Sequence, residues 1–221
     1  VELMMSENTE SFKKEGKILR VYDGCCGTGG MLTTLKRKLE EILEDTYRKE
    51  DVILYGQDVN PEAYAICCAE MLMLGEDVKN IREGNTLVDD KFPGERFDLL
   101  ITNPPFGVEW KSEKASVLAE LKTQNNRYVA GTPRVSDGQL LFLQNLLSKA
   151  EDDGRIAIIL NGSPLFSGDA GSGESEIRRY VLEKHLLEAI VALPDQMFYN
   201  TGINTYVWIL TKNPSPRRHN K

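Results

Sequence analysis

The chain has few of the residues from which metal sites, secreted scaffolds and membrane spans are built. Its four cysteines stand as two adjacent pairs, Cys25-Cys26 and Cys67-Cys68, with no C-x-x-C spacing. That argues against a zinc site and a disulfide framework, and fits reduced thiols in a cytoplasm. No apolar run approaches roughly 18 residues, so no membrane span is expected, and the N-terminus is acidic rather than signal-like. Cations are in deficit: 27 Lys and Arg against 34 Asp and Glu give a net charge of −7. Strong independent binding to nucleic acid needs a cationic footprint, so this balance argues against it. Neither of the two histidines, His185 and His219, falls near a motif, so no general base is assigned. Phosphate loops are also missing, with no G-x-G-x-x-G fingerprint and no G-K-[ST].

What remains is an ordinary globular composition, 41% hydrophobic and 28% charged over 221 residues, enough for one large domain or two small ones burying roughly 70% of the unfolded surface. Two stretches depart from the average charge. Residues 107–135 hold Lys111, Lys114, Lys122, Arg127 and Arg134 against three glutamates, and the end of the chain holds Lys212, Arg217, Arg218 and Lys221 with no acid. Each can touch phosphate or be plain solvated charge. The expected division is a polar N-terminal segment, 1–17, a core, 18–213, and a basic tail, 214–221.

The most informative stretch is Phe97-Asp98-Leu99-Leu100-Ile101-Thr102-Asn103-Pro104-Pro105-Phe106. Its first half is a buried strand, and Pro104 and Pro105, lacking N–H donors, end the ladder. Asn103, a fixed Pro104 carbonyl and the Phe106 ring then meet at a strand's C-terminal end, where α/β sheets bind ligands. An exocyclic amine on a nucleobase is a poor nucleophile because its lone pair is delocalised. The Asn103 oxygen and the Pro104 carbonyl can accept both its N–H bonds and turn the lone pair toward an electrophile. Pro105 restricts Pro104 to extended values, which aims the carbonyl, and Phe106 offers a stacking face. The plainer alternative is a strand that ends in a proline turn, which would need neither the Asn nor the Phe.

Strands are expected at 18–22, 52–57, 78–82, 97–103, 155–160, 187–193 and 204–211. Helices are expected at 31–47, 61–74, 137–150 and 174–185, giving a doubly wound α/β sheet. The last two strands, separated only by Pro194–Ile203, are expected to be antiparallel neighbours. Between strand one and helix one lies Asp23-Gly24-Cys25-Cys26-Gly27-Thr28-Gly29-Gly30, whose glycines let a ligand approach the backbone. Asp23 would repel a pyrophosphate but suits an ammonium, directly or through water, and Asp58 is placed to hold two ribose hydroxyls. A ligand with ribose, a cationic amino-acid tail and no phosphate is S-adenosylmethionine.

The two motifs resemble the cofactor and catalytic motifs of the amino-methyltransferases. Gly154–Gly162, Glu176-Ile177-Arg178-Arg179 and Ala192–Ile203 resemble the modification (M) subunit of type I restriction-modification systems. The resemblance covers about residues 18–213. It implies N6-adenine methylation of DNA and a Rossmann-like, seven-stranded S-adenosylmethionine-dependent methyltransferase sheet whose last strand inserts antiparallel. By matching position, Asn103, Pro104, Pro105 and Phe106 form the catalytic motif. Asp23, Cys26, Gly27, Thr28, Gly29, Gly30, Asp58 and Asn85 form the cofactor side. Partners implied are DNA with its target adenine flipped out, a specificity (S) subunit, a second M subunit and a restriction (R) subunit, in the cytoplasm.

Three departures stand out. Gly24 replaces the usual proline, predicting a looser turn. Asn85 replaces an aspartate that meets the cofactor's adenine. The Phe-Thr-Pro segment, the helical N-terminal region and the C-terminal extension are missing, as expected of a partial core. Two rivals remain: a methyltransferase of an RNA base or a protein glutamine, and a non-catalytic scaffold with this fold.

Overall fold

A computed structural model describes residues 2–5, 12, 14, 16–42, 51–194 and 202–214. Seven strands form one sheet: β1 Leu19–Asp23, β2 Val52–Asp58, β3 Ile81–Glu83, β4 Phe97–Thr102, β5 Ala150–Asn161, β6 Leu187–Ala192 and β7 Thr205–Thr211. Their order is β3-β2-β1-β4-β5-β7-β6. The first five are parallel, and β7 enters antiparallel between β5 and β6. Strand order reverses between β1 and β4, so the ends of these two strands flank the switch point where such sheets take ligands.

The helices are α1 Gly30–Ile42, α2 Pro61–Leu74, α3 Lys114–Glu120, α4 Gln139–Lys149, α5 Ser163–Phe166 and α6 Gly173–Glu183. Leu32, Leu35 and Leu39 of α1 are buried, the spacing that makes one apolar face. Asn60 caps α2 by accepting from the Glu62 and Ala63 amides, and Gly75 ends it in a left-handed conformation. Pro61 and Gly75 are therefore the start and stop signals they resembled. The segment expected as a helix to residue 47 is described to Ile42, and its remainder lies outside the described residues.

Four local expectations change. Val78–Asn80 is a single 3-10 turn, because the Asp77 side chain takes the Lys79 amide, and only Ile81–Glu83 is strand. β5 begins at Ala150 rather than Arg155. Phe97 pairs with Ala150 and Leu99 with Arg155, so residues 151–154 bulge out, and Gly154 turns the chain inside the strand. The connection 107–135 contains α3. Finally, Met4, Met5 and Phe12 from the polar N-terminal segment are buried in the core with Leu19, Val21 and Leu54.

Asp98, the one charge in β4, is buried but satisfied: it accepts the Arg20 amide at 2.9 Å and pairs with Lys17 at 2.8 Å. Both faces of β4 can therefore be covered. Val21, Leu54 and Leu99 pack under α1 and α2, while Tyr22, Phe97 and Leu100 pack against α4 and α6.

Candidate active site

The glycine bend, residues 24–30, leaves the end of β1 and is tied down by neighbouring side chains. Asp58 Oδ2 accepts the Gly27 amide at 2.7 Å and its Oδ1 the Asn60 amide at 2.9 Å. Thr86 Oγ1 donates to the Gly24 carbonyl at 2.5 Å, and the Cys26 amide donates to the Gln57 carbonyl. Proline's absence at 24 therefore does not leave the turn loose. Gly27 (φ 53°) and Gly29 (φ 88°) adopt backbone angles that favour glycine. A Cβ on Gly29 would come within 2.8 Å of Cys67 Sγ, so helix α2 packs directly on the bend.

Asp23 is buried at the end of β1. Its Oδ1 takes the Cys25 amide and the Thr102 hydroxyl at 2.6 Å, a bond that spans the switch point, and its Oδ2 has no partner among the described residues. Burial pushes this carboxyl up to about 7, against the lowering effect of the Thr102 and Cys25 bonds. Burial also raises the Cys25 thiol.

On the other side of the switch point, Pro104 is buried, Pro105 exposed, and Asn103 and Phe106 half-buried. The Asn103 Oδ1 atom is inaccessible to solvent and has no hydrogen-bond partner among the described residues. An unpaired buried carbonyl costs about 1–3 kcal/mol, and folding gains nothing from leaving it unpaired.

One cavity of about 300 Å³ joins the two turns. Four of the expected site residues line it: Asp58, Asn85, Asn103 and Pro105. Others sit around it rather than on it. Asp23 and Cys26 are buried behind the bend, with Cys26 in the apolar core, while Gly27, Thr28 and Gly30 carry the bend outward. Asn85 donates to Glu113 at 2.9 Å and accepts the Leu87 amide, so its side chain is held in place.

Five wall residues were not among those expected from sequence: Gly24, Cys25, Val59, Thr86 and Phe142. Phe142 lay among the apolar residues of a helix and carried no separate signal. Thr86 follows Asn85, and its short spacing from an expected contact was the only hint.

The charged connection also resolves. Arg127 is buried, with two bonds to Glu120 at 2.7 and 2.8 Å and others to the Thr86 and Leu87 carbonyls and Asn145. It clamps the connection against the cavity wall and is not offered to phosphate. Trp110 packs with Leu87, Val117, Tyr128 and Leu141 and bonds the Arg134 carbonyl through its indole N–H. Lys111, Lys114 and Lys122 stay exposed. Of the basic end, 215–221 lies outside the described residues, as does 195–201 within the Ala192–Ile203 stretch. His185, with φ 53°, closes α6 as a helix-end residue.

Over residues 3–220 the sequence matches the family described as N-6 DNA Methylase. The chain belongs to that family. It is 30% identical over 220 residues to the type I restriction enzyme MjaVII methylase subunit of Methanocaldococcus jannaschii, covering 97% of this chain and 36% of that protein. It is 31% identical over 201 residues to the EcoEI methylase subunit of Escherichia coli, covering 87% and 38%. Among solved structures, the type I restriction-modification methyltransferase subunit from Streptococcus thermophilus superposes with a TM-score of 0.80 at 25% identity, over 98% of this chain and 44% of that one. This member of the family thus spans 33% to 42% of the length of the curated relatives matched first.

Proposed function

We propose that this chain is the catalytic core of a type I modification subunit, transferring a methyl group from S-adenosylmethionine to N6 of an adenine in DNA. The observation that carries the reading is Asn103, which lines the cavity that the glycine bend also lines and whose buried Oδ1 has no partner among the described residues. A nucleobase amine supplies the missing donor. The cofactor side fits as well: an open glycine bend, a second unpartnered buried acceptor at Asp23 Oδ2, and Asp58 at the end of β2.

When bound, S-adenosylmethionine supplies an electrophilic methyl on a sulfonium. Asp58, held by two backbone amides, keeps lone pairs for ribose hydroxyls. Asp23, once ionised, attracts an ammonium from behind the bend. Asn103 and the Pro104 carbonyl hold the two amine hydrogens and turn the nitrogen lone pair toward the methyl carbon. The methyl would move to the amine nitrogen, the cofactor would leave as a neutral thioether, and solvent would take the proton the nitrogen gives up. Phe106 stacks on the base, which must leave the duplex because paired N6 is shielded. Catalysis here is positioning, for which effective molarities supply roughly 7–11 kcal/mol. Sequence choice is assigned to a specificity subunit, with a second M subunit and a restriction subunit completing the complex.

The test uses the full-length subunit with its partners, labelled cofactor and duplex DNA, followed by mass spectrometry of the nucleosides. Labelled N6-methyladenine, lost in Asn103→Ala, is the expected result. Label found only in RNA or in a protein glutamine moves the substrate. Failure to bind cofactor by calorimetry makes the chain a scaffold.

A further inference from the structure

A second hollow, of about 480 Å³, opens at the same sheet edge where β5 ends and β7 begins. Among the described residues it shares none with the cavity at the switch point. Among the described residues its lining carries no charge: the amides of Asn161 and Asn204 and the backbone of Gly162 line it together with the rings of Phe166 and Tyr206.

Phe166 is 77% exposed, the most exposed large apolar side chain among the described residues. Single exposed apolar residues are common, but this one sits on a braced turn. Asn161 Oδ1 accepts the Ser163 amide, Ser163 and Ser167 share a hydroxyl bond, and Arg134 donates to Ser163. Arg178 reaches across from α6 to the Pro164 and Ser167 carbonyls. The fold thus presents an aromatic ring to solvent from a turn whose backbone is braced. A Cβ built on Gly162 would lie 3.5 Å from a carbon of each ring, so the glycine forms the floor between them. No ring stacks on Phe166 or Tyr206 among the described residues. Gly162 has φ −69°, an angle any residue adopts, so the small side chain keeps the gap open and backbone geometry does not require it.

Two unstacked rings, a glycine floor and two amides suit a flat, uncharged heterocycle with polar edges. The hollow lies beside the strand neighbouring the catalytic corner: Thr102 pairs with Ile158, three residues before Asn161. We propose that it takes a second DNA base, distinct from the target adenine, with Phe166 entering the stack opened when the target leaves the duplex. This rests on the DNA-methyltransferase reading above. It adds a residue that would help to expel and replace the base, and Phe166 would touch DNA but not the reacting atoms.

The test uses the full-length subunit in its complex on duplexes containing the adenine that it methylates. Phe166→Ala removes a platform and Gly162→Val plugs the gap. Each is expected to raise KM for duplex DNA about tenfold, the scale of one lost base-stacking contact, with cofactor affinity unchanged and Phe166→Trp near wild type. A base opposite the target that cannot pair should restore most of the Phe166→Ala loss. With 5-iodouracil placed in turn at positions around the target, cross-links to Phe166 or Tyr206 should come from a flanking or opposite position and identify which. Unchanged KM in both variants, or cross-links only from the target position, overturns the second site while leaving methyl transfer standing. No transfer by the wild-type complex removes both readings.

Discussion

The two turns that meet at the switch point are built in opposite ways. In the glycine bend three backbone groups are tied to neighbouring strands and loops: the Gly24 carbonyl to Thr86, the Gly27 amide to Asp58, the Cys26 amide to Gln57. In the proline corner the chain is stiffened covalently by Pro104 and Pro105, and the Asn103 acceptor is left unpaired. A bend braced by hydrogen bonds makes a fixed mould for a ligand. A corner stiffened by its prolines can keep the Asn103 acceptor for a substrate. Rigidity thus has two sources here: side chains such as Asp58 and Thr86 hold the bend from outside, and the corner carries its stiffness in its own proline rings.

Breaking the corner should give the largest effect. Asn103→Ala should cut methyl transfer by a factor on the order of 10²–10³, the scale of losing one preorganised polar contact to the transition state. Single-turnover assays would show this, while thermal melting stays level or rises, because no hydrogen bond within the protein is lost. A large fall in melting temperature would show that Asn103 is structural.

Asp58→Ala attacks the mould instead. Two backbone amides lose a charged acceptor, so stability should fall by about 2 kcal/mol, read by denaturant titration. Cofactor affinity should drop about tenfold or more by calorimetry. Equal cofactor affinity with the stability loss would confine Asp58 to bracing the bend.

Asp23 gives the bend side a dependence on pH. Its folded value of about 7 lies above the ordinary 3.8 because of burial. The folded state therefore binds the proton more tightly, and this group's contribution to stability is full below pH 3.8 and is lost as pH rises toward 7. Asp23→Asn should flatten that decline in melting curves between pH 4 and 8. Cofactor binding by the wild type should tighten as pH rises through about 7, as the carboxylate forms, and the variant should show no such rise. A parallel pH profile in both would sink the role of this carboxyl.

The smallest effect is expected from Thr86→Val, which removes the hydroxyl bond to the Gly24 carbonyl: about 1 kcal/mol of stability and severalfold weaker cofactor binding. Full affinity in this variant would mean that the bend is held well enough by Asp58 and Gln57 alone.

Much of the fold was legible because its signals are local. The β4 run ending in two prolines, Asn60-Pro61 starting a helix and Gly75 stopping it all act within a few residues. The short gap before β7 was enough to predict an antiparallel pair. The bulge at 151–154 was hidden, since it depends on how β5 lies against Phe97. The five cations of 107–135 looked alike in sequence. Only folding separates Arg127, buried on Glu120, from Lys122 in solvent.

Taken alone, the chain of residues determined which groups could do chemistry: an amide before two prolines, acids at the ends of two strands, and glycines between strand and helix. Those choices rest on backbone sterics and on polar-group chemistry, which are properties of neighbours in sequence. Tertiary structure decided which of these groups share a cavity, which acceptors stay unpaired, and which walls, such as Phe142, close the site. Burial and long-range pairing set those outcomes, and both depend on residues that are far apart along the chain.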